Sequence, residues 1–199
     1  IVEWATTITF ALIAWLIGHL SAPHCREFSW NDASISFPFD HHEEFPNWSL
    51  LFIAGTPALV YILFGRYLHN YSWEEVNLWC LIQGQSVAIM LVMVDPAKLY
   101  AGRLRPDFLD RLRMSGYGPS SFSDPFDYCS VEDPKRLIRQ GRLSFPSGHS
   151  SLSFAAMVPL TMFLIISLRV FQNATLLRFF GAITPMITAT TSPTSWVVP

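Results

Sequence analysis

The chain has 199 residues, of which 51% are hydrophobic and only 14% charged. That balance excludes an ordinary soluble domain, in which about a quarter of the residues carry charge. The formal net charge of −2 excludes little and gives no reason to expect a nucleic-acid partner, because the charge is so unevenly spread: nine of the 13 Lys and Arg lie between Lys98 and Arg142, no acid follows Asp133, and no His follows His149.

The apolar residues come in blocks. Trp4 to Leu20, Trp48 to Gly65, Val76 to Val94 and Ser150 to Val170 each approach the roughly 20 residues that cross a bilayer as a helix. A buried core helix is the ordinary alternative for any one of them, but four in so short a chain predict an all-α, multi-span transmembrane bundle. The first block also has the position of a signal sequence. Its length, the lack of a small-residue cleavage site and the prompt arrival of His24 and Cys25 favour a span. Ile1 stands where an initiator Met would, as expected of an incomplete N-terminus.

Four spans set loops 21–47 and 95–149 on one side of the membrane, and loop 66–75 and the tail from Phe171 on the other. Cys25 and Cys129 then share a side, where a disulfide and two unpaired thiols are both open readings. Cys80 falls inside the third block and is expected to pack there. The positive-inside rule would put the basic third loop in the cytoplasm. If those cations hold a ligand they carry no topology signal, and Arg66, Arg169 and Arg178 then mark the opposite, cytoplasmic face. Of the three Asn-x-Ser/Thr sites, Asn47 would be lumenal, while Asn70 and Asn173 would not be glycosylated. Trp4, Trp48 and Trp73 at span ends read as interfacial indoles, and Gln83 and Gln85 as helix–helix hydrogen bonds.

A fifth apolar stretch begins near Thr175 and turns into Thr- and Pro-rich text, its prolines expected to interrupt a helix. We therefore divide the chain into a membrane domain, 1–174, and an aberrant or truncated tail, 175–199, with the fifth span incomplete.

Chemistry concentrates at two places. Asp95-Pro96 is expected to end the third span. "KLYAGRLRP", Lys98 to Pro106, follows, and Lys98 and Arg105 would share one face of a helix two turns long. Such a pair can close on a phosphate, the Arg as a fork and the Lys as a point charge. Alone it reads first as a juxtamembrane basic cluster drawn to anionic lipid heads. About forty residues later stands "FPSGHS", Phe145 to Ser150. Its plain reading is a turn with a Ser cap on the next helix; its sharper one is an anion site with helix N–H donors and a His to supply a proton. Together the two stretches hold the parts that phosphoryl transfer uses.

Lys-x6-Arg-Pro at Lys98–Pro106, followed by Pro-Ser-Gly-His at Pro146–His149, resembles the first two signature motifs of the lipid phosphate phosphatases, within the type-2 phosphatidic acid phosphatase and haloperoxidase superfamily. The resemblance covers about Trp4 to Val170. It implies a membrane hydrolase acting on lipid phosphomonoesters such as phosphatidic acid or diacylglycerol pyrophosphate, with no metal or other cofactor and a site facing the lumen or the extracellular side. Lys98 and Arg105 would bind phosphate, Ser147 and Gly148 would add donors, and His149 would be the general acid. The third motif of that family, Ser-Arg-x5-His-x3-Asp, supplies a nucleophilic His and the Asp that orients it. No stretch after His149 matches it, so the resemblance implies impaired turnover in this chain.

His19, His24, His41, His42 and His69 offer no evident substitute, and "DHHEE" at Asp40–Glu44 reads as a solvated loop rather than a metal site. Arg111, Arg113, Arg136, Arg139 and Arg142 are expected to meet lipid heads or solvent. The alternative function is a non-catalytic membrane protein that binds lipid phosphates or scaffolds a partner. No oligomeric state follows from the sequence.

Overall fold

A computed structural model describes residues 1–39, 49–124, 126–131, 133, 136–172 and 175–191. Every regular element among them is helical. In chain order these are α1 (Val2–Leu20), α2 (Ser49–Val60), which passes into a π-helix (Tyr61–Leu68), α3 (Trp73–Ala101), α4 (Phe108–Met114), α5 (Leu137–Gly141), α6 (Gly148–Ser167) and α7 (Leu176–Thr191). Helices α1, α3 and α6 are long and apolar enough to cross a membrane, and two shorter apolar helices cover Phe52–Leu68 and Leu176–Thr190. The all-α, multi-span reading holds. The second block is shorter than the full span expected of it, with its last turns wound as the wider π form.

Four prolines, Pro57, Pro96, Pro159 and Pro185, lie inside helices. Two expectations are corrected by this. α3 runs through Asp95-Pro96 to Ala101, and α7 runs through Pro185 to Thr191. An interior Pro removes one backbone hydrogen bond, whereas unwinding an apolar helix in lipid would leave several groups unsatisfied. Pro193 and Pro199 lie outside the described residues.

The described residues group into two units, one of 1–15, 49–93 and 147–191, the other of 16–39 and 94–146. In the first unit α6 packs on α2 and α7. Its core is Tyr61, Val76, Leu160 and Phe163. The fully buried Phe163 ring meets Tyr61 edge-on at 4.9 Å and Trp79 at 5.2 Å. Polar side chains within the apolar helices find partners: Tyr61 donates to Gln83 Oε1 at 3.0 Å, Ser86 to the Ala155 carbonyl at 2.8 Å, and Trp4 Nε1 to Asn77 Oδ1 at 3.1 Å. Gln83 and Gln85 thus serve as interhelical contacts, Gln85 reaching Glu3 at 3.4 Å.

The second unit folds the first and third loops together, as expected of segments on one side of the membrane. Its core is Ile35, Phe108, Leu109, Leu112, Tyr128 and Ile138, with Phe28 edge-on to both Phe108 and Tyr128. Cys25 and Cys129 form a disulfide, with Cα atoms 6.2 Å apart, and Cys80 is a free thiol. Arg111 and Arg142 are buried and Arg139 is half-buried, which corrects the expectation of lipid or solvent contact for these three, whereas Arg113 and Arg136 are exposed as expected. Arg111 is 5% exposed, pairs with Asp107 at 2.8 Å and lies 4.5 Å over the Phe39 ring. Arg142 is 6% exposed, donates to the Pro23 carbonyl and lies over Tyr128. Arg139 donates to the carbonyls of Gly18 and Ser21 where α1 ends. The end of a helix leaves four carbonyls without partners, and a guanidinium placed there satisfies them.

Where α3 ends, Gly102 takes φ +51° and its N–H closes on the Lys98 carbonyl at 3.0 Å. A Cβ at Gly102 would lie 2.1 Å from the His24 carbonyl oxygen, so both backbone conformation and space demand glycine.

Two outcomes check this arrangement. Under denaturing, non-reducing conditions a thiol-reactive mass tag should modify one cysteine of the three, and all three after reduction. Gly102→Ala should destabilise the protein by more than about 2 kcal/mol, read as a lowered unfolding midpoint in detergent.

Candidate active site

Lys98 sits in the last turn of α3, half-buried, one turn after Asp95. Asp95 is likewise half-buried. Arg105 does not share a helix face with Lys98. The helix stops at Ala101, and Arg105 lies on an irregular segment that Gly102 turns away from the helix. Backbone bonds fix that segment: Arg105 N–H donates to the Gly141 carbonyl at 2.7 Å, Ser144 N–H to Arg103 at 3.1 Å, and Phe108 N–H to Arg105 at 3.0 Å. The approach is close because residue 141 is glycine. A Cβ there would be 2.8 Å from the Phe108 ring.

Ser147, Gly148 and His149 belong to the first unit and open α6. Ser147 is the N-cap, with extended φ and ψ of −68° and 122°, and its Oγ accepts from Ser150 N–H at 3.4 Å. The Ser147 carbonyl accepts from Ser151 N–H at 3.1 Å and from its hydroxyl at 2.7 Å. The capping reading of "FPSGHS" is therefore what the chain does, and the same geometry turns the first N–H groups of a 20-residue helix outward. His149 is half-buried, and its Nε2 is buried with no hydrogen-bond partner among the described residues.

The first loop supplies contacts that the sequence did not single out. His24 N–H donates to the Leu99 carbonyl at 2.7 Å, and Arg26 Nε to the Ala101 carbonyl at 2.7 Å. Arg26 is itself held by Tyr128, whose Oη accepts from the Arg26 N–H at 3.1 Å and donates to its carbonyl. A signal for this existed: Arg26 and Tyr128 adjoin the two cysteines that the disulfide joins. Burial pushes the Tyr128 phenol above its usual pKa, its hydrogen bond to Arg26 opposing. Burial also draws Arg142 below the usual arginine range.

His24 is exposed on the first loop, and His69 follows the π-helix in the first unit. Asp40 to Glu44, with His41 and His42, lie outside the described residues, as does Trp48. Among the described residues no three His, Cys, Asp or Glu side chains are grouped to hold a metal.

Residues 78–192 match the PAP2 superfamily. The chain is 34% identical over 176 residues to a probable diacylglycerol pyrophosphate phosphatase 1 of Schizosaccharomyces pombe, covering 87% of this chain and 62% of the relative. It is 30% identical over 164 residues to diacylglycerol pyrophosphate phosphatase 1 of Saccharomyces cerevisiae, covering 78% and 56%. With lipid phosphate phosphatase 2 of Arabidopsis thaliana the identity is 31% over 147 residues, covering 72% and 49%. The chain thus spans between half and two thirds of the length of these relatives. No solved structure matches it. With a superfamily match that starts inside α3 and takes in "KLYAGRLRP", "FPSGHS" and α6, this helical membrane chain belongs to the PAP2 superfamily.

Proposed function

We propose that this chain is the phosphate-binding portion of an integral membrane lipid phosphate phosphatase, acting on phosphomonoesters of lipids such as phosphatidic acid or diacylglycerol pyrophosphate. In this reading Lys98 and Arg105 bind the phosphate, the hydroxyl of Ser147 and the N–H of Gly148 add donors, and His149 is the general acid. The observation that carries the reading is the pair of backbone bonds joining Arg103 and Arg105 to Ser144 and Gly141. They tie the Arg105 segment to the stretch that leads, three residues on, into Ser147. Three residues span about 11 Å at full extension. The buried Nε2 of His149, with no partner among the described residues, suits a group that meets a substrate oxygen.

Hydrolysis would exchange the P–O bond to the lipid for a P–O bond to a water oxygen, releasing inorganic phosphate. The proton from His149 goes to the departing oxygen, which leaves as a glycerol hydroxyl, or as phosphatidate when a diphosphate is cut. Lys98, Arg105 and the α6 N–H groups offset charge on the remaining phosphoryl oxygens. The relatives named as diacylglycerol pyrophosphate phosphatases support that substrate class. No His follows His149 and no Asp follows Asp133 within these 199 residues, so the chain alone is expected to bind phosphate and turn it over slowly. That same observation favours the second reading, a non-catalytic lipid-phosphate binder. The site faces the lumen or the extracellular side: a Cys25–Cys129 disulfide suits an oxidising compartment, and Arg111, Arg139 and Arg142 are engaged in contacts within the fold instead of marking a cytoplasmic loop.

Lys98→Ala or Arg105→Ala should weaken binding of inorganic phosphate and of phosphatidic acid vesicles by about tenfold or more, the effect of losing one charge-assisted contact. Unchanged binding in both variants leaves only a scaffolding role. Rapid hydrolysis of phosphatidic acid by the purified chain, abolished by His149→Ala, would overturn the expectation of slow turnover. Asn70 should carry no glycan when the protein is made in a secretory system; a glycan there would invert the facing.

A further inference from the structure

We infer that Arg26 is a positioning residue for the phosphate-binding segment, and that residues 24–26 form a disulfide-anchored strap that fixes where Lys98 and Arg105 stand. The inference rests on the phosphate-binding role proposed above for those two residues. It begins with the end of α3. The last turn of a helix leaves carbonyls without intrahelical donors. The Lys98 carbonyl receives Gly102 N–H, the Leu99 carbonyl receives His24 N–H, and the Ala101 carbonyl receives Arg26 Nε. Two of these three closures therefore come from the strap. The Arg26 cation also lies at the negative end of the 29-residue α3 dipole, where positive charge is favoured.

The strap has a fixed anchor. Cys25 is bonded to Cys129, and Arg26 is clamped through both its N–H and its carbonyl by the hydroxyl of Tyr128, which is 1% exposed. Tyr128 sits in the second unit's core against Phe28 and Phe108. The chain of contact thus runs from core to Tyr128, to Arg26, to the point where α3 stops. Beyond that point come Gly102 to Arg105, held on their other side by Gly141 and Ser144. With Arg26 removed, the Ala101 carbonyl loses a charge-assisted bond and the turn that carries Arg105 loses one of its two walls. A lysine would not replace it, because the bond uses the in-plane Nε–H of a guanidinium.

Arg26 itself borders an open cleft of about 530 Å³ lined also by His24, Glu27, Tyr100 and Phe126, wide enough to admit a small guanidinium from solution. That allows a test of positioning apart from stability. Binding of inorganic phosphate by the full chain in detergent is measured for the parent, Arg26→Ala, Tyr128→Phe, Lys98→Ala and Phe163→Ala, with an unfolding midpoint for each. Arg26→Ala should raise the phosphate Kd about tenfold, as expected when a binding group is displaced by a fraction of an ångström. Tyr128→Phe should act in the same direction, and millimolar methylguanidinium should restore Arg26→Ala but not Lys98→Ala. Phe163→Ala, in the other unit, should lower the midpoint and leave the Kd unchanged. Phosphate affinity within twofold of the parent in Arg26→Ala, while Lys98→Ala is weakened, overturns the inference. So does a loss that Phe163→Ala reproduces or that methylguanidinium leaves in place. If Lys98→Ala has no effect, the phosphate-binding reading itself fails, and the inference with it.

Discussion

The structure depends on how α3 is brought to an end. A helix that is apolar over most of 29 residues has no internal reason to stop at Ala101, and Pro96 does not stop it. Termination comes from outside the helix. Gly102 adopts a conformation open to few other residues, and the first loop places donors on the carbonyls of Leu99 and Ala101. Since His24 approaches so closely that residue 102 has no room for a Cβ, the turn and the strap specify one another. Where α3 stops decides where Lys98 ends and the Arg105 segment begins.

The four internal prolines follow from the same solvent argument. In water, a helix broken by Pro hands its exposed groups to solvent. In hydrocarbon there is none, so the helix persists around the missing bond.

The spans were legible because their signal is compositional. The blocks beginning at Trp4, Trp48, Val76 and Ser150 start within three residues of α1, α2, α3 and α6. Loop contents were less so. The pairing of the first and third loops followed from alternation across the membrane, but the disulfide stayed one of two readings because spacing alone fixes no geometry. Proline rules taken from soluble helices misplaced the end of α3. The seven-residue spacing separately put Arg105 on a helix face it does not occupy, since seven residues make two turns only if the helix continues past Ala101. At Ser147 the local pattern was more reliable: a Ser before Gly-His and an apolar run is an N-cap whatever else it does.

The basic third loop shows why counting cations overstates a phosphate site. Guanidinium groups match carbonyl oxygens as well as they match phosphates, and both kinds of acceptor collect where helices end. Arg139 and Arg142 bond the carbonyls of Gly18, Ser21 and Pro23, Arg26 bonds that of Ala101, and Arg111 is paired with Asp107. Arg111 and Arg142 would be expensive to bury without those partners, and all four arginines are bonded to the frame. A lysine, with a single mobile ammonium, fits such capping poorly. Lys98, the one lysine of "KLYAGRLRP", is not among these frame-bonded cations and is half-buried. It stands in the last turn of α3, whose Ala101 carbonyl is held by Arg26.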